Sequence, residues 1–97
     1  MKATRVSVAV MIAFAASRFA MAAEAPAGAV SCSGCHAGSA RVETPVPRLA
    51  GRPAAEITDA TLAYKSGKLP GTIMDRIAKG FSDEEIRAIA AWYATQK

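Results

Sequence analysis

The sequence has few residues whose side chains bind transition metals, with two cysteines and one histidine among 97 residues. A closed tetrahedral zinc site needs four ligands, so Cys32, Cys35 and His36 are too few to form one alone. The sequence also lacks sustained alternation of polar and apolar residues, which argues against a sheet. No uninterrupted apolar run reaches the roughly 20 residues needed to cross a bilayer. We therefore expect a small all-α protein without a permanent membrane anchor.

The first residues have the pattern of a secretory signal. Two basic residues precede an apolar run over residues 6–16, and Ala20 and Ala22 are the small residues that a signal peptidase requires. We interpret residues 1–22 as a cleaved signal peptide and residues 23–97 as the mature domain. This assignment predicts a periplasmic protein.

Removal of the signal changes the charge balance. The whole chain has 12 basic and 8 acidic residues, and three of the basic residues lie in the signal, so the mature chain has 9 against 8, a net charge of +1. This balance gives no reason to expect a nucleic-acid partner. A mature domain of roughly 75 residues is also too short to bury a large core without a disulfide, metal or cofactor to stabilise it.

The sequence Cys32-Ser33-Gly34-Cys35-His36 has the C-x-x-C-H spacing typical of covalent haem attachment. On one helical turn the two thiols can reach the two vinyl groups of one porphyrin, and the imidazole can face the iron. Two alternatives are a short disulfide and a thioredoxin-like redox pair, although the latter occurs in a βαβ context that this chain lacks. The pattern favours one covalent haem c, with Cys32 and Cys35 as the attachment sites and His36 as an axial ligand.

The second axial position has one obvious candidate. Met74 is the only methionine of the predicted mature chain, and a methionine thioether is a common sixth ligand in electron-transfer haems. It follows His36 by 38 positions and comes after a Pro-Gly turn, where a chain wrapped around the porphyrin would return to its open face. The alternative is a core methionine that fills a gap. The haem would then be five-coordinate, which suits a sensor or a peroxidase.

The pattern of apolar residues, prolines and glycines predicts four helices separated by loops. The segment between the first two helices contains Pro45, Pro47 and Gly51 and is expected to be irregular. In the last helix, Ser82 and Glu85 have the spacing of a capping box. The predicted helices span residues 29–37, 54–65, 72–79 and 83–95.

Residues 29–97 resemble a class I c-type cytochrome, because an attachment helix, a proline-bearing loop, a central helix, a methionine segment and an aromatic terminal helix follow one another. Residues 64–68 (YKSGK) and 72–82 (TIMDRIAKGFS) resemble, more narrowly, the haem subunit of flavocytochrome c sulfide dehydrogenase. The resemblance implies a small all-α class I cytochrome c fold, in which short helices wrap around one covalently bound haem.

The resemblance also implies roles for residues outside the attachment sequence. Pro47 matches the loop proline whose carbonyl accepts the ring N–H of the haem histidine, a bond that would orient the imidazole. Leu49 and Tyr64 are expected to pack on the porphyrin. Trp92 or Tyr93 is expected to hold the terminal helix against the attachment helix. Considered without the resemblance, these residues fit an ordinary turn and ordinary helix packing.

The expected function is electron transfer, not catalysis. The narrower resemblance implies that an FAD-containing sulfide dehydrogenase subunit donates electrons to this haem, which passes them to other redox carriers. One alternative is a free diffusible cytochrome that serves an oxidase or a photosynthetic centre, and another is the five-coordinate sensor or peroxidase. Basic residues flank the methionine segment and either steer an acidic partner or are simply solvated: Lys65, Lys68, Arg76 and Lys79.

Overall fold

A computed structural model describes residues 24–97, and the predicted signal peptide lies outside the described residues. Over this range the chain forms four α-helices and no strand, which confirms the all-α prediction. None of these helices is long and apolar enough to cross a membrane. The helices are α1 (Ala29–Cys32), α2 (Ala54–Ser66), α3 (Met74–Ala78) and α4 (Asp83–Ala94).

Helix α1 is shorter than predicted. The expected helix over residues 29–37 ends at Cys32, and residues 33–35 continue as tight turns with hydrogen bonds to the third preceding carbonyl. The hydroxyls of Ser31 and Ser33 each donate to a carbonyl three residues earlier, at 2.6 Å, and so compete with regular helical bonding. Gly34 adds a residue with low helix propensity. The prediction of a helix through residue 37 was therefore wrong.

The other three helices lie close to their predicted positions. Helix α2 begins after Pro53, whose φ of −55° suits a helix start, and ends at Gly67, which has a φ of 83° that favours glycine. Helix α3 begins two residues later than predicted because Ile73, at φ −139°, is not helical. Helix α4 begins with the predicted capping box, in which Ser82 and Glu85 each accept a backbone hydrogen bond from the other.

The core forms where α4 packs against α1 and α2, and α2 also packs against α3. The hydroxyl of Tyr93 in α4 donates a hydrogen bond to the carbonyl of Ala29 in α1, as expected of the residue that holds these two helices together. Leu49, from the irregular segment, packs on the same core. The buried residues of this cluster are Ala29, Ile57, Ile89, Ala90 and Tyr93.

Candidate haem site

The two cysteines lie at the end of α1 and in the turns that follow it, and both are free thiols. Cys32 is half-buried against the core, and this burial raises the pKa of its thiol. Cys35 is exposed. The structure has no disulfide between them.

The imidazole of His36 is oriented by the loop proline. Its Nδ1 lies 2.6 Å from the carbonyl oxygen of Pro47, eleven residues further along the chain. Because a carbonyl only accepts hydrogen bonds, Nδ1 carries the proton and the lone pair is on Nε2. In metal-binding histidines, a hydrogen bond from the ring nitrogen that does not bind the metal fixes the tautomer and raises the basicity of the ring. His36 is thus arranged to offer Nε2 to a metal.

The segment that carries Pro47 is held at several points. Arg48 Nη2 donates to the carbonyl of Gly38 at 3.1 Å, and the amide of Gly51 donates to the carbonyl of Tyr93 in α4 at 3.0 Å. Leu49 packs between these two positions on the core. The irregular chain after residue 46 is therefore fixed both to the turns after α1 and to α4, which positions the Pro47 carbonyl.

Met74 and Tyr64 belong to α3 and α2, two helices that pack on each other. Both residues are half-buried. A Cβ on Gly71 would lie 3.0 Å from Cε1 of Tyr64, so the aromatic ring packs closely over the turn that leads to α3. Among the predicted site residues, His36 is joined to Pro47 by a hydrogen bond.

Large aliphatic side chains remain exposed on the segment that carries Met74. Ile73 is 57% exposed and Leu69 is 41% exposed, although buried positions are usual for such residues. Ile77, one turn beyond Ile73, and Val42, in the irregular segment, are also exposed. Exposed aliphatic side chains beside potential ligands are typical of a surface that an apolar body covers.

The residues present fit a haem c. The chain offers two free thiols, an imidazole with Nε2 available, a thioether and exposed aliphatic side chains. Arg48 Nε is buried and makes no hydrogen bond within residues 24–97, and a charged N–H donor of this kind complements the carboxylates of a haem. Across the same residues, no group of three or more His, Cys, Asp or Glu side chains is arranged to hold a metal ion.

Arg48 and Gly38 are the site residues that the sequence did not indicate. Arg48 is one of several arginines in the region, and apart from its position directly after Pro47 the sequence does not separate it from Arg41 or Arg52. Its difference is structural, because Arg41 and Arg52 are exposed whereas Arg48 is half-buried and hydrogen-bonded to the turn after α1.

Comparison with known proteins agrees with this site. No protein-family model matches the chain. Cytochrome c-554(548) of Halomonas halodenitrificans is 34% identical over 71 residues, which are 69% of this chain and 86% of that protein. The cytochrome subunit of sulfide dehydrogenase of Chlorobaculum tepidum is 34% identical over 64 residues, which are 66% of this chain and 58% of that protein.

The chain belongs to the class I c-type cytochromes. Within that family it resembles the cytochrome subunit of sulfide dehydrogenase, as residues 64–68 and 72–82 indicated. Electron transfer through haem c is the function that this membership supports. The match spans 58% of the Chlorobaculum tepidum protein.

Proposed function

We propose that this chain is a periplasmic monohaem electron carrier in which Cys32 and Cys35 form thioether bonds to one haem c, and His36 and Met74 bind the iron axially. The hydrogen bond from His36 Nδ1 to the Pro47 carbonyl, at 2.6 Å, carries the proposal. It holds the ring of the single histidine in the tautomer that an iron ligand needs. Leu49 and Tyr64 pack on the porphyrin.

When bound, the haem supplies an iron that alternates between the ferrous and ferric states while it keeps both ligands. The protein's part is to hold those ligands still. Pro47 keeps the proton on His36 Nδ1, and the bond between Gly51 and Tyr93 ties the Pro47 segment to α4. The exposed aliphatic side chains beside Met74 exclude water from the haem face. In this proposal the chain transfers electrons without binding a substrate and is not itself an enzyme.

The test is expression of the full chain in a host that exports it and matures c-type cytochromes. The purified protein is expected to keep one haem per chain under denaturing conditions, and its N-terminus is expected at Ala23, which would show cleavage after residue 22. Replacement of Cys32 or Cys35 by serine should leave only one thioether bond, and replacement of both should abolish covalent attachment. A chain that retains no haem would contradict the proposal.

We further propose that the electron donor is an FAD-containing sulfide dehydrogenase subunit. The likeness to the Chlorobaculum tepidum cytochrome subunit supports this partner. Lys68, Arg76 and Lys79 are exposed around α3 and would attract an acidic partner, whereas Lys65 forms an ion pair with Asp83 at 2.8 Å. The haem would then pass electrons to other redox carriers.

A free diffusible carrier that serves an oxidase or a photosynthetic centre is the second candidate. Cytochrome c-554(548), of which this chain covers 86%, is named as a cytochrome and not as a subunit, which agrees with this candidate. The rate of haem reduction after stopped-flow mixing with a purified sulfide dehydrogenase flavoprotein and sulfide distinguishes the two candidates. Fast haem reduction, together with co-elution of the two proteins, supports the subunit assignment. Slow reduction and elution as a monomer support the free carrier.

A further inference from the structure

Two hydrogen bonds join the turns after α1 to the segment that begins at Pro47. His36 Nδ1 donates to the Pro47 carbonyl at 2.6 Å, and Arg48 Nη2 donates to the Gly38 carbonyl at 3.1 Å. The donor of the first bond lies on the α1 side, and the donor of the second lies on the opposite side. The two bonds therefore close the irregular loop 39–46 at its base.

The geometry of the backbone makes the direction of the Pro47 carbonyl depend on Arg48. The oxygen that accepts from His36 belongs to the planar peptide group between Pro47 and Arg48. The proline ring fixes φ of Pro47, so its ψ is the torsion left to aim the carbonyl. Rotation about ψ would carry the Arg48 Cα with it. A side chain of Arg48 that is anchored on Gly38 opposes that rotation.

The surroundings of Arg48 are consistent with a fixed side chain. Its Nε is buried and makes no hydrogen bond within the described part of the chain, so the guanidinium is partly withdrawn from water. Withdrawal of a charged N–H from water without a hydrogen-bond partner costs free energy, and an arginine that is free in solvent does not incur this cost. Arg41, in the same loop, is exposed and offers a matched comparison.

We propose that Arg48 is a positioning residue, which keeps the Pro47 carbonyl on His36 Nδ1 and thereby sets the orientation and basicity of the iron-binding Nε2. This inference rests on the proposed function, in which His36 binds the haem iron. It assigns to Arg48 an effect that is transmitted through Pro47 and not through its charge alone.

Loss of the hydrogen bond and loss of the positive charge change the reduction potential in opposite directions. A hydrogen bond from Nδ1 to a carbonyl makes the imidazole a stronger donor and favours ferric iron, so its loss raises the reduction potential. A nearby positive charge favours ferrous iron, so removal of the charge alone lowers the potential. Lysine keeps the charge but lacks the planar fork of arginine. Arg48→Lys therefore separates positioning from charge.

The experiment compares haem-loaded wild type with Arg48→Lys, Arg48→Met and the control Arg41→Met. Proton NMR of the ferrous protein follows exchange of the His36 Nδ1 proton with deuterium, and a redox titration gives each potential. We expect exchange roughly tenfold faster in both Arg48 variants, a raised potential in Arg48→Lys, and neither change in Arg41→Met. Circular dichroism checks that each variant is folded, and the lysine variant guards against misfolding of the methionine one.

Exchange within twofold of wild type in both Arg48 variants would overturn the inference. So would an unchanged potential in Arg48→Lys with a lowered one in Arg48→Met, since charge alone would then explain the effect. Wild-type protein without covalent haem would overturn the proposed function and this inference together. Covalent haem with unaltered exchange would overturn the inference alone.

Discussion

Replacement of Tyr93 by phenylalanine removes one hydrogen bond between α4 and α1 and leaves the aromatic ring in place. The hydroxyl donates to the carbonyl of Ala29, and the two residues are 5% and 0% exposed. Burial raises the pKa of the Tyr93 phenol, so the hydroxyl stays protonated and remains a donor at neutral pH. In the variant a buried carbonyl loses a partner that water cannot replace. The cost of such a loss is about 1–3 kcal/mol.

We therefore expect Tyr93→Phe to lower the free energy of unfolding of the haem-loaded protein by about 1–2 kcal/mol. Guanidinium denaturation followed by far-UV circular dichroism measures it. The control is Thr61→Val, which deletes a hydroxyl that bonds to the Ile57 carbonyl inside α2, at 2.7 Å, and should change stability by less than about 0.5 kcal/mol. Equal stability of wild type and Tyr93→Phe would refute the account of how α4 is held.

Three further predictions concern the ends of helices. Gly28→Ala should lower the free energy of unfolding by about 1–2 kcal/mol, because φ at Gly28 is 85° and the new Cβ would lie 2.5 Å from Cε1 of Phe81. In the control Gly38→Ala the new Cβ meets nothing within 4 Å, so the change should be nearly neutral. Thermal unfolding compares the two variants. Ser82→Ala should cost about 1 kcal/mol, measured by denaturant unfolding, because the Glu85 N–H loses the Ser82 hydroxyl that caps it; an unchanged midpoint would contradict this. The pKa of Glu85 is held below its usual 4.5 by the Ser82 backbone N–H, so its stabilising contribution is present above pH 4.5 and is lost as pH falls through the lowered pKa. The Ser82 hydroxyl also lowers this pKa, so Ser82→Ala, which keeps the backbone N–H and removes the hydroxyl, should raise the pKa part of the way in an NMR titration, and an unmoved titration would show that the hydroxyl does not contribute.

The sequence predicted α2 and α4 most accurately, each with the exact start and an end within one residue, and α4 has the clearer local signal. Its start is specified within four residues, because Ser82 and Glu85 satisfy each other's backbone groups, and its apolar face follows the helical period. Such local signals do not depend on the rest of the fold. Helix α1 lacked them, and there the side chains of Ser31 and Ser33 formed backbone hydrogen bonds that ended the regular helix early.

The residues of the candidate site also differ in whether a local sequence signal could predict them. Cys32, Cys35 and His36 are neighbours in the chain, so their chemistry could be predicted from spacing alone. The contact of Pro47 with His36 was expected only through the resemblance to class I cytochromes, because Pro47 lies eleven positions beyond His36 along irregular chain. The role of Arg48 could not be predicted, although Arg48 directly follows Pro47 in the chain. Its role depends on which arginine the loop turns inward, and that is settled by packing and not by a local sequence signal.

The central claim, a haem held by His36 and Met74, is tested most directly by the optical spectrum of the purified haem-loaded protein. The ferric form is expected to have the weak near-infrared band of sulfur-to-iron coordination, which should vanish in Met74→Ala and persist in the control Thr72→Ala. If the wild type lacks the band and its ferrous form binds carbon monoxide readily, Met74 is not a ligand. The chain would then be a five-coordinate sensor or peroxidase, and the electron-carrier account would be contradicted.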